Sequence, residues 1–230
     1  MAKTKRPGTQ EGFDVENTLS KTEEFIEKNQ RILITVVVIL VIIIGGYFGY
    51  KRFILAPKKE EAKNSMFMAE TYFERDSFAL ALQGDNLNII GFEEIIDEYG
   101  STPSGKLARF YAGICCLHLQ RFDEAIEYLE DFDTDIVLVQ AAKLAAIGDA
   151  YAEKNNPNLA IEYYLKASEL KPNDLTAPFY LLKAGIICEE IADFEQAFNI
   201  YTKIEQQFPE FYVNKQIIKY KTRAQRQTES

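Results

Sequence analysis

Gly113, Gly148 and Gly185 lie 35 and 37 residues apart, and each opens the same pattern of small and large side chains. In residues 141–174 the pattern reads Leu144, Ile147, Gly148, Tyr151, Ala160, Tyr164, Ala167 and Pro172. Small residues recurring between large ones, at a period too long for a single helix or strand, call for a helical hairpin used several times over. The small positions let two antiparallel helices cross closely, the large ones fill the space around the crossing, and the proline stops the second helix. Residues 106–139 repeat the pattern with Gly113, Cys116, Ala125 and Leu129. Residues 178–211 repeat it with Leu181, Gly185, Cys188, Ala197, Tyr201, Ile204 and Pro209. The segments RFDEAIEYL, NPNLAIEYY and DFEQAFNIY open the three second helices. The extra residues fall in the turns DFDTD and KPNDLTAP, where insertions are tolerated.

This code resembles the tetratricopeptide repeat, whose period is about 34 residues. The expected fold class is therefore all-α: a helical solenoid ending in a capping helix over 212–226, whose other face carries Lys215, Lys219, Lys221, Arg223 and Arg226. Residues 57–100 read as a degenerate first repeat. A helix is expected from Pro57 to Phe73, a short turn over Phe78–Leu82, and a second helix over Leu87–Tyr99 ended by Gly100. Its second helix is clear and its first is displaced.

A different signal precedes the repeats. Residues 32–50, ILITVVVILVIIIGGYFGY, are uncharged and mostly β-branched. As a helix this run is about 28 Å long, close to a bilayer's hydrocarbon thickness. Arg31 and Lys51–Arg52 bound it, and Tyr47 and Tyr50 fall where interfacial aromatics belong. A cleaved leader fits poorly, because a long polar arm precedes the run and no small-x-small site follows. The reading is a transmembrane helix over 32–54 with the domain after it. Residues 1–13 read as a disordered tail, and 14–31 as an amphipathic helix with an apolar stripe at Val15, Leu19, Thr22 and Ile26. That helix either lies on the membrane or docks a partner, or it is a solvated lead-in. Gly45 and Gly49 form a G-x-x-x-G pair, readable as a helix-packing face or as terminal glycines. Positive charges are nearly balanced across the span, so charge alone leaves its orientation open.

Residues 56–230 carry 18 Lys/Arg against 29 Asp/Glu, an acidic balance that argues against nucleic acid as a partner. His118 is the only histidine and lacks a second ligand for zinc. Cys116 and Cys188 take the aromatic slot of their repeats and read as small hydrophobes. A bridge from Cys115 or Cys116 to Cys188 would span two repeat widths. Asp131, Asp133 and Asp135 hint at a calcium loop, but Ile136 and Ala142 stand where glycine and glutamate are needed. With no phosphate loop and no nucleophile elbow, no cofactor and no catalysis are expected.

The repeat register assigns the groove to the first helices. Its lining is expected to be Leu107, Phe110, Ile114 and Leu117, then Ala142, Ala145, Asp149 and Ala152, then Phe179, Leu182, Ile186 and Glu189. These slots are apolar or acidic, unsuited to clamping a terminal carboxylate and suited to an apolar or amphipathic protein segment. Alternatively, the first helix or the basic C-terminal helix fills the groove.

The layout as a whole resembles the YfgM-like family of membrane-anchored repeat proteins, ancillary subunits of the Sec translocon. The phrases KTEEFIEKNQR, FERDSFALALQGD, GFEEIIDEYGSTPSGKLARFYAGICCL and GDAYAEKN look like the version found in Bacteroidetes-type bacteria. The resemblance implies a single inner-membrane span with a periplasmic repeat domain, acting near the Sec translocon and periplasmic chaperones. It implies no catalytic residues. Two other functions fit the same architecture: a structural organiser of an envelope or cell-division complex with one fixed partner, and a cytosol-facing adaptor.

Overall fold

The computed structural model describes residues 15–85, 89–170 and 172–229, with side chains from Lys28 onward except that of Asn214. The expected tail over 1–13 lies outside these residues, and so do the side chains of the stripe at Val15, Leu19, Thr22 and Ile26. The chain divides into two compact units, Met1–Ala56 and Pro57–Ser230.

In the first unit, α1 (Val15–Tyr50) is one helix followed by a π-helical turn, Lys51–Leu55. The expected boundary between an amphipathic helix and the apolar run is absent from the backbone. The helix is long and apolar enough to cross a membrane, with a mean hydropathy of 2.8 over its best 18-residue window. None of that window is buried within the protein. The one threonine of residues 32–50, Thr35, donates a hydrogen bond to the Arg31 carbonyl at 2.8 Å. The hydroxyl thus needs no water partner, as a lipid environment requires.

The second unit is a series of helical hairpins, with no β-strand among the described residues. Its first six helices are α2 (Ala56–Phe73), α3 (Phe78–Gln83), α4 (Phe92–Tyr99), α5 (Pro103–His118), α6 (Phe122–Glu130) and α7 (Val137–Glu153). Then come α8 (Pro157–Glu169), α9 (Ala177–Glu190), α10 (Phe194–Gln207), α11 (Pro209–Asn214) and α12 (Ile217–Thr228). The pairs α5/α6, α7/α8 and α9/α10 are the three hairpins expected from the sequence.

The glycine slots are sterically enforced. A Cβ on Gly113 would lie 2.5 Å from Leu129, one on Gly148 2.9 Å from the Tyr164 ring, and one on Gly185 2.4 Å from the Tyr201 ring. In each hairpin the glycine of the first helix takes the large residue of the second. Ala125, Ala160 and Ala197 are fully buried beside these crossings.

Each hairpin turns in the same way. Gln120, Asn155 and Ala192 adopt left-handed φ of 59°, 57° and 61°. In the first hairpin the Arg121 amide reaches back to the Cys116 carbonyl and the Gln120 amide to that of Leu117. The second and third repeat these two bonds, so all three are Schellman turns that satisfy the last carbonyls of the first helix.

The first repeat corrects the sequence reading. Asp76, with φ 56°, makes the same turn after α2, and Ala69, Tyr72 and Ala81 take the small, aromatic and small slots. The first helix is therefore in register and the disruption lies in the second. That helix breaks after Gln83, where Gly84 pairs with Ile90 in a short antiparallel bridge, and the next described helix begins at Phe92; Leu87, the expected start, lies outside the described residues. Gly84 holds φ 81° and a Cβ there would lie 2.3 Å from the Ile89 carbonyl, so only glycine closes this loop. The expected single capping helix over 212–226 is also two helices, broken where Gln216 adopts φ 55°.

Candidate partner-binding cleft

The first helices α5, α7 and α9 enclose a cleft of about 560 Å³. Its apolar lining is Ile114 and Leu117 from α5, Phe122 from α6, and Ala146 and Ala152 from α7. Its polar lining is His118, Gln120, Asp149, Glu153, Tyr164 and Lys183. The imidazole of His118 stacks on Phe78, with ring centroids 3.9 Å apart.

A hydrogen-bond relay crosses this cleft. Asp149 Oδ1 accepts hydrogen bonds from the Tyr164 hydroxyl at 2.6 Å and from Lys183 Nζ at 2.6 Å. The same ammonium lies over the Tyr164 ring, 5.5 Å from its centroid. Burial, followed by the Asp149 carboxylate, pushes the Tyr164 phenol far above its ordinary range. The relay ties α8 to α7 within one repeat and α7 to α9 of the next.

Of the twelve residues assigned to the groove from register, Ile114, Leu117, Asp149 and Ala152 line this cleft. Leu107 is exposed near the start of α5, and Phe110 is half-buried against Phe132, 5.4 Å between centroids. Ala142 is half-buried, and Ala145 is buried in the core shared by α7 through α12. Leu182 packs on that same core, and Ile186 is half-buried.

The α9 end of the face is partly covered by the chain itself, with Phe179 still 43% exposed. The Phe179 ring meets Phe211 of α11 edge-on at 4.7 Å, and Lys215 Nζ lies over the Phe179 ring, 5.3 Å from its centroid. Glu189 pairs with Arg223 of α12 and keeps only 10% of its side chain exposed. The register did not name His118, Gln120, Phe122, Ala146, Glu153, Tyr164 and Lys183, which also line this cleft. Lys183 carries the one signal that could have found it, a cation 34 residues after an acid. The same spacing relates Glu169 to Lys203 and Glu189 to Arg223.

Cys115, Cys116 and Cys188 are buried free thiols, each pushed up to about 12 chiefly by burial. That fits their placement as core hydrophobes.

Residues 144–174 match the family described as tetratricopeptide repeat, a stretch that runs from within α7 through α8 into the following turn. No curated protein matches the chain. The chain is thus a tetratricopeptide-repeat-containing protein with one long apolar N-terminal helix.

Proposed function

We propose that this chain is a non-enzymatic, membrane-anchored scaffold whose repeats bind protein segments of apolar or amphipathic character. The observation that carries this reading is the cleft between α5, α7 and α9, lined by apolar Ile114, Leu117 and Ala152 together with polar side chains. Its mix of apolar and polar side chains suits a docked segment of amphipathic character. Asp149 is already neutralised by Lys183, which leaves no cationic clamp for a terminal carboxylate. The apolar α1 supports the anchor. The resemblance to the YfgM-like family supports a single-pass inner-membrane protein with a periplasmic domain, near the Sec translocon, its clients and periplasmic chaperones.

The test is photo-crosslinking of the full chain in cells. A crosslinking residue is placed at Leu117 or Ala152, with Glu127 on the outside of α6 as control. Many transient adducts at the two cleft positions and none at Glu127 support the reading. Equal capture at Glu127, or no capture at the cleft, overturns it. One stoichiometric adduct assigns the protein instead to a complex with a fixed partner. A compartment-sensitive reporter after Ser230 decides the orientation.

A further inference from the structure

The second unit is acidic nearly everywhere except at its last helices. Residues 56–208 carry a balance of −14, whereas residues 209–229 carry +3. Two of the five cations in that last segment are held in place: Lys221 pairs with Glu205 and Arg223 with Glu189. Lys219 and Arg226 have no ion pair among the described residues. They lie on the same side of α12 as Arg223, at spacings of four and three residues. Two adjoining basins of about 540 and 400 Å³ share Lys219 and Arg223, and Arg226 lines the larger. Ile218 lines that same basin and is 57% exposed, an apolar side chain beside cations on a helix whose buried side is Ile217 and Ala224.

A helix presenting cations and an exposed isoleucine on one face matches the physics of an interfacial helix at an anionic lipid surface. We infer that α12 docks this face on anionic phospholipid headgroups of the membrane that holds α1. Phosphates would accept from Lys219 and Arg226, while Ile218 enters the headgroup boundary. Residues 56–208 taken together are repelled by the same surface, whereas the charge of the last helices favours contact. The inference rests on the membrane anchor proposed above.

The test uses the full chain reconstituted in vesicles of phosphatidylcholine alone or with about 30% phosphatidylglycerol, a composition at which each surface cation adds on the order of 1 kcal/mol of attraction. Ile218→Cys carries an environment-sensitive dye, and lipids carrying nitroxide quench it. Quenching that rises with phosphatidylglycerol, and weakens roughly fivefold per charge removed in Lys219→Gln and Arg226→Gln, supports the inference. High salt should abolish it, because the screening length falls to about 3 Å at 1 M. Unchanged thermal melting of the variants shows that α12 is still folded. Equal quenching in the two vesicle types overturns the inference, and so does a dye response to an acidic peptide but not to phosphatidylglycerol. Co-flotation with phosphatidylcholine vesicles reads the anchor separately: a chain that floats without lipid-dependent quenching keeps its anchor and loses the docking helix. A chain that floats only with phosphatidylglycerol, and not when Lys219 and Arg226 are changed, supports docking while removing the anchor.

Discussion

Lys183 Nζ lies 2.6 Å from Asp149 Oδ1, and the two residues are 34 positions apart. A cation in one hairpin completes a carboxylate in the hairpin before it, so this part of the cleft exists only when both are folded. Tyr164 donates to the same oxygen from below. The corresponding tyrosine of the next hairpin, Tyr201, has a buried hydroxyl with no partner. The difference traces to one position: Asp149 follows Gly148, whereas Ile186 follows Gly185.

Tyr164→Phe and Tyr201→Phe should therefore differ in outcome. Losing the Tyr164 hydroxyl strips a bond from a carboxylate and should cost about 1–2 kcal/mol. Losing the unpartnered Tyr201 hydroxyl should cost nothing or stabilise by a few tenths of a kcal/mol. Denaturant unfolding of both variants checks this, and equal losses would contradict the relay.

Gly185→Ala should destabilise more than Gly148→Ala, because its Cβ would lie 2.4 Å from the Tyr201 ring against 2.9 Å from Tyr164. Overpacking of this kind costs about 1–3 kcal/mol. A melting temperature unchanged by Gly185→Ala would mean that the crossing has slack the structure does not show.

Ala192→Gly should stabilise. Alanine at φ 61° carries left-handed strain that glycine lacks, worth about 1 kcal/mol after glycine's greater unfolded freedom is counted. The variant's melting temperature is the readout, and a decrease would refute the turn assignment.

Alkaline pH should unfold the repeats. Burial raises the thiols of Cys115, Cys116 and Cys188 from 9.0 to about 12, and the Tyr128 phenol from 10.0 to about 12. Tyr164 and Tyr201 are raised further by the same cause. A folded value above the unfolded one means the unfolded chain gives up its protons first. This contribution to stability is complete below pH 9 and is lost progressively as pH climbs from 9 through 12 and beyond. Unfolding midpoints measured from pH 8 to 11 should fall. The three thiols should also stay silent to an aromatic disulfide reagent at pH 8 until denaturant is added, and prompt reaction would show that the core opens there.

Much of this arrangement was legible in the sequence. The pairing of Gly148 with Tyr164 and of Gly185 with Tyr201 follows from a period and a size rule, both local to one hairpin. The apolar run of α1 was likewise a matter of length and composition. What escaped depends on contacts between hairpins or on single backbone torsions. Register placed Phe179 and Glu189 on an open face, but whether a later segment folds over that face is set by Phe211 and Arg223, which register does not address. The break of the first repeat after Gln83 hinges on Gly84 at positive φ, and glycine alone does not announce which torsion it takes. Of the cleft's missed lining, Phe122 and Tyr164 come from second helices, which the rule that first helices line the groove sets aside, whereas His118, Ala146, Glu153 and Lys183 lie on first helices at positions beside those the register named.

The Schellman turns at Gln120, Asn155 and Ala192 have a kinetic consequence. Each closes a hairpin with bonds that span only three or five residues, so it needs nothing from the rest of the chain. Closing so short a loop is fast, and hairpins assembled from near neighbours keep contact order low. As the chain grows from its N-terminus, each hairpin can form as soon as its own residues are free. Links between hairpins, such as Asp149–Lys183, Glu169–Lys203 and Glu189–Arg223, must each wait for one further segment of chain.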